Sequence, residues 1–150
     1  VYRALGENQP GGEGRITTLA ATIPFDGSRG MGDQVPGPAH LLASALAACV
    51  LKNVERFGQL LPFEYERATA QVELERQDRP PQIVRASYRL EVHTEEPLSR
   101  CDLLLRNINK FGTISNTLAR ACPIEATLVA VRSSGAVEEL EPGSPVGPKA

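Results

Sequence analysis

The chain has 150 residues and a nearly balanced formal charge of -2 at pH 7, a length that suits one domain burying roughly two thirds of the surface its unfolded form exposes. No Lys/Arg run offers the basic footprint nucleic acid requires, no stretch reaches the ~20 apolar residues that span a bilayer, and no basic-then-apolar leader is present. The expectation is a soluble, cytoplasmic protein with neither nucleic acid nor membrane as partner. Cys49, Cys101 and Cys122 form no CxxC pair, and His40 and His93 share no ligand spacing. Neither a metal, a cofactor nor a disulfide framework is therefore expected.

Taken in chain order, residues 1–7 lead into the turn-forming stretch 8–14, and the β-branched segment 15–23 follows, together predicting an N-terminal β-hairpin. Residues 25–38 hold Gly27, Gly30, Gly32, Gly37 and two prolines, Pro36 and Pro38, a loop long enough to suggest function. Leu41, Leu42, Ala45, Leu46, Cys49, Val50, Asn53, Val54 and Phe57 recur at helical intervals, with Pro38 in the first turn and Gly58 as the expected end. Its other positions include Ala43, Ser44, Ala47 and Ala48 instead of charges. A helix small or apolar nearly all round predicts a sheet on one side and a second subunit on another.

Segments 64–77 and 83–95 alternate apolar and polar residues across Asp78-Arg79-Pro80-Pro81, predicting a two-stranded antiparallel ribbon. Ser99 opens a second helix carrying Leu103, Leu104, Ile108 and Phe111; a short helix is expected over 113–121, and a last strand over 124–131. Residues 1–137 form the expected single domain, and 138–150, rich in Pro and Gly, a loose tail.

The helix contains Gly37-Pro38-x-x-Leu41-Leu42-Ala43-x-Ala45-Leu46-Ala47-Ala48-Cys49, which resembles the first cysteine motif of the OsmC/Ohr family, with the proline eleven residues before the cysteine. The resemblance implies an α+β fold, an intertwined homodimer with antiparallel sheets around a buried central helix. It also implies thiol-dependent reduction of small hydroperoxides in oxidative stress defence. Cys49 would be the peroxidatic thiolate, a second cysteine would close a disulfide, and an external thiol or dithiol would reduce it. A thiol with an ordinary pKa of about 8.5 needs a nearby positive charge to ionise in an apolar pocket. Arg29, twenty residues before Cys49, resembles the arginine of the OsmC branch; Arg15 fits the Ohr-branch placement less well.

Two positions depart from the family. The glutamate that follows the motif proline and orients the arginine is replaced by Ala39, with His40 next and assigned to the substrate pocket. An imidazole supplies neither the carboxylate's charge nor its bidentate geometry. The resolving cysteine admits two alignments. Ala121-Cys122-Pro123 carries the Cys-Pro pair of the second motif, whereas Lys110-Phe111-Gly112-Thr113-Ile114-Ser115-Asn116 fits the family's short helix better and puts Gly112 at the resolving position. We prefer the second, in which Cys122 packs structurally. Cys101 and Asn53 are read as structural.

Three functions follow: a two-cysteine hydroperoxide reductase, a one-cysteine variant whose sulfenic acid an external thiol reduces, and a non-catalytic dimer binding a small apolar ligand.

Overall fold

The computed structural model describes residues 1–30, 32–140, 143, 146 and 147. Two compact units are present, Val1–Leu42 and Ala43–Ala150.

The first unit is an antiparallel meander of β1 (Leu5–Asn8), β2 (Glu13–Thr18) and β3 (Ala21–Asp26), in that order across the sheet. A hairpin was the sequence expectation. The third strand arises because Leu19, at a φ of 50°, turns the chain inside a segment whose β-branched residues read as one strand. Pro24 is tolerated because β3 is an edge strand. The first turn uses Gly12 at a φ of +95°, where a β-carbon would stand 2.5 Å from the Ser28 backbone. After β3, the loop is tied at its neck. The Asp26 N–H donates to Pro36 O (2.9 Å), and the Asp26 carboxylate accepts the N–H groups of Ser28 (2.9 Å) and Gly32 (2.7 Å). Hydrogen bonds from Ser28 first, then Gly32, hold the Asp26 carboxyl below its usual range.

Helix α1 (Pro38–Leu60) begins where Pro38 sets the first turn. It runs through Gly58, where the sequence suggested an end. Gly58 is buried, and a β-carbon there would stand 3.2 Å from the Tyr65 ring, so the glycine serves close packing, not termination. The helix closes with Leu61 N–H on Phe57 O (2.9 Å) and Phe63 N–H on Gly58 O (2.8 Å). Arg100 then donates to the carbonyls of Leu61 and Pro62.

The second unit continues with β4 (Arg67–Asp78), β5 (Pro81–His93), α2 (Leu98–Phe111), α3 (Thr113–Leu118), β6 (Ile124–Val131) and β7 (Val137–Glu139). Its sheet runs β4-β5-β6-β7. The α+β class holds, but one ladder departs from the antiparallel expectation: β5 and β6 are parallel. Helices α2 and α3 carry the chain back between them, the long connection that parallel strands require. Strand β7 was not foreseen, and it takes Glu138 and Glu139 out of the expected loose tail. Leu140 N–H also bonds to Leu128 O. Residues 141, 142, 144, 145 and 148–150 of that tail lie outside the described residues.

The core of this unit is apolar. Alternate residues of β5 (Ala86, Tyr88, Leu90, Val92) meet Leu104 and Ile108 of α2, Leu128 of β6, and the Leu46, Val50 and Val54 stripe of α1. Full burial of such side chains contributes about 1.5–3 kcal/mol each. The opposite side of α1 leaves Ser44 and Ala48 exposed.

Candidate active site around Cys49

Cys49 lies midway along α1, next to Val50 of the buried stripe, and is itself half-buried. One turn further on, Asn53 is buried, and its Nδ2 donates to Cys49 O at 2.9 Å while standing 3.7 Å from Cys49 Sγ. From the other direction comes the α2–α3 junction. Gly112 caps both helices, taking an extended backbone (φ -70°, ψ 119°) between them. This bend brings Ser115, 1 % exposed, to 4.0 Å from the Cys49 sulfur.

Gly112 itself faces the thiol. A β-carbon built on it would lie 3.2 Å from Cys49 Sγ and 2.8 Å from Ser115 Oγ. The backbone around it is fixed by Gly112 N–H on Ile108 O (3.2 Å) and Asn116 N–H on Gly112 O (2.8 Å). Tyr88, buried on β5, donates its hydroxyl to Asn109 Oδ1. Burial first, then the charge of an ionised Cys49, push the Tyr88 hydroxyl pKa upward. The two hydrogen-bonding side chains beside the sulfur, Asn53 and Ser115, are both neutral.

The other predicted residues fall elsewhere. Cys122 is buried in the core just after α3, and burial raises its thiol pKa. Cys101 is fully buried on α2, with its sulfur 3.8 Å from Glu96 O, and its pKa is also raised, chiefly by burial. All three thiols are free. Arg29 belongs to the first unit, where it lines a groove with Asn8, Gly12, Gly27 and Ser28. Arg15 is paired across the strands with Glu7. His40 Nδ1 accepts the Gly37 N–H at 3.2 Å, so its ring closes the start of α1. Ala39 beside it is exposed.

Among the described residues, no group of three or more His, Cys, Asp or Glu is placed to hold a metal. A cleft of about 860 Å³ in the second unit is lined by Glu55, Tyr65, Glu95, Glu96 and Arg132, away from Cys49. Three of its carboxylates are tied internally: Glu55 to Tyr65 (2.5 Å) and Gln59 (2.6 Å), Glu95 to the Ser133 N–H (2.6 Å), and Glu96 to Arg100 (3.3 Å). The cleft holds no cysteine.

Residues 30–127 match the family described as OsmC-like protein. The chain belongs to that family. Solved structures agree on the fold of this OsmC-like protein. An OsmC-like protein from Mycoplasma pneumoniae aligns with a TM-score of 0.79 at 16 % identity, covering 87 % of this chain and 96 % of its own. A Legionella pneumophila protein described as an organic hydroperoxide resistance protein OsmC aligns at 0.70 and 14 % identity, covering 85 % and 97 %. The organic hydroperoxide resistance protein OhrB of Bacillus subtilis aligns at 0.65 and 17 % identity, with the same coverage of 85 % and 97 %. No curated protein matches the sequence. At these identities the solved structures establish the fold of the OsmC-like chain and nothing finer.

Sequence reasoning passed over Ser115 and Tyr88 as parts of the site. Ser115 had a signal, since it falls on the Ser-Asn pair that aligned the short helix. Tyr88 had a weaker one: a hydroxyl on the apolar face of β5, where burial demands a partner.

Proposed function

We propose that this OsmC-like protein is a one-cysteine, thiol-dependent reductase of small hydroperoxides. The observation that carries the reading is the placement of Gly112 beside Cys49, where a β-carbon would stand 3.2 Å from the sulfur but no second thiol is present. Cys122 and Cys101 are core side chains with raised pKa values, and we assign them packing roles.

The chemistry balances as follows. The Cys49 thiolate attacks the terminal oxygen of the hydroperoxide, an S–O bond forms as the O–O bond breaks, and the alkoxide leaves with a proton from solvent as an alcohol. Cys49 is oxidised by two electrons to sulfenic acid. One external thiol displaces water to give a mixed disulfide, and a second releases Cys49 and leaves as the external disulfide. Arg29 is assigned the activating positive charge on its sequence spacing, because a guanidinium stays charged and so favours the thiolate. His40, which orders the helix start, is assigned to the edge of the substrate pocket.

The working form is a homodimer. Ala48 on α1, Leu5 and Leu19 in the first unit, and Phe111 at the end of α2 are exposed in the single chain. A second copy gives these apolar surfaces a partner.

The deciding experiment treats the reduced protein with one equivalent of an organic hydroperoxide and reads the mass of each cysteine peptide. A single added oxygen on Cys49, removed by excess monothiol with turnover of peroxide, is the expected result. An unreactive Cys49 would leave the non-catalytic, ligand-binding reading.

A further inference from the structure

Ser115 is buried, polar and 66 residues from Cys49, yet its hydroxyl is 4.0 Å from the Cys49 sulfur. That separation is long for a direct thiol–hydroxyl hydrogen bond. One S–O bond followed by a hydrogen bond of about 2.7 Å, bent at the oxygen, spans it well. Gly112 bounds the same space without a side chain, so no β-carbon competes for the position beside both atoms. Asn53 Nδ2, anchored on Cys49 O, stands 3.7 Å from the same sulfur.

Resting on the one-cysteine reading, we propose that Ser115 is a positioning residue for the oxidised state: its hydroxyl hydrogen-bonds the sulfenic oxygen of Cys49 and holds it until an external thiol arrives. A two-cysteine enzyme has little use for such a device, because its own second thiol consumes the sulfenic acid. Here the intermediate must outlast a bimolecular encounter. A held sulfenic oxygen also keeps the sulfur's lone pairs turned from a second hydroperoxide, which would otherwise carry it to the irreversible sulfinic acid. The serine moves no electrons and exchanges no atoms; it fixes a rotamer. Threonine retains the hydroxyl and should retain the role.

The test uses the full chain, reduced, given one equivalent of cumene hydroperoxide, with the sulfenic acid trapped by dimedone at timed intervals and read by mass. Wild type and Ser115→Thr should hold the sulfenic acid alike. Ser115→Ala should lose it about fivefold faster, the effect of one hydrogen bond near 1 kcal/mol, and should yield more sulfinic acid with a second equivalent. Alkylation of reduced Cys49 by iodoacetamide should be unchanged in Ser115→Ala, which separates the held intermediate from general loosening of the site. Ser115→Gly repeats the comparison if the alanine variant does not fold. Equal lifetimes in wild type and Ser115→Ala would overturn the role of Ser115 and leave the reductase reading standing. No sulfenic acid in wild type would overturn both.

Discussion

A β-carbon on Gly112 would stand 3.2 Å from the sulfur of Cys49. In a disulfide, with its S–S bond near 2.04 Å, each β-carbon stands about 3 Å from the partner's sulfur, so the two backbones are already spaced for a bridge. Gly112→Cys should therefore convert the protein to a two-cysteine mechanism. One equivalent of hydroperoxide should cross-link Cys49 to the introduced thiol, giving a product two mass units lighter than the reduced variant, with little over-oxidation. The Ser115 hydroxyl, 2.8 Å from the added β-carbon, must rotate to admit it, at a cost of about 0.5–1.5 kcal/mol if it leaves its preferred rotamer. Peptide mapping after oxidation checks this directly.

Replacing the core thiol tests the opposite assignment. Cys122→Ser should leave the oxidation rate and product masses of Cys49 unchanged while lowering stability by about 1–3 kcal/mol, because a hydroxyl replaces a thiol among apolar neighbours. Urea unfolding with parallel mass analysis measures both. A cross-linked Cys49/Cys122 peptide in wild type would return the resolving role to Cys122. Native alkylation should likewise reach Cys49 well before Cys101 or Cys122, whose raised pKa values and burial keep them protonated and covered.

Stability should fall at both ends of the pH scale. The Tyr65 hydroxyl, hydrogen-bonded to Glu55 and half-buried, is pushed from its ordinary 10.0 up to about 12. Its proton is therefore held more firmly in the folded state, and its contribution, complete below pH 10, is lost as the pH rises toward 12. Cys101 and Cys122 add to the loss above their ordinary 9.0. Glu55 and Glu95 lie below their ordinary 4.5, and Asp26 below 3.8, so their contributions are present above those values and disappear as acid protonates them. Thermal midpoints across the pH range should show a plateau between these limits. Tyr65→Phe should flatten the decline above pH 10.

The proposed dimer is open to test by a surface variant. Ala48, exposed one residue before Cys49, lies on the part of α1 that the single chain leaves uncovered. Ala48→Arg should move sedimentation from dimer to monomer at micromolar concentration, with the fold of the second unit intact by circular dichroism. A wild-type monomer under the same conditions would remove the dimer from the proposal.

The features legible in the sequence were those set by local chemistry. Pro38 placed the start of α1, and the alternation around Tyr88 and Leu90 placed β5. The boundaries of β6 at Ile124 and Val131 agree with the structure. The Ser-Asn pair put Gly112 opposite Cys49, and the fold brings the two together. What escaped depended on distant partners. The parallel pairing of β5 with β6 is decided by how α2 and α3 pack, not by the composition of either strand. Gly58 reads as a stop until Tyr65 is seen against it. Leu19 turns the chain despite a side chain that disfavours its positive φ. Ser115 is ordinary in its own helix and acquires meaning only from a sulfur 66 residues away.

The knot at Asp26 gives the first unit freedom to vary. The Asp26 N–H meets Pro36 O and so joins the ends of the intervening segment, while the Asp26 carboxylate fixes its first part through Ser28 and Gly32. Closing such a segment costs only about 0.6 kcal/mol more each time its length doubles. Insertions between Gly32 and Pro36 are thus tolerable to β3 and to the Pro38 turn alike. This stretch is where chains built on the same scaffold can most readily differ in length, while the strand before it and the helix start after it keep their hydrogen bonds.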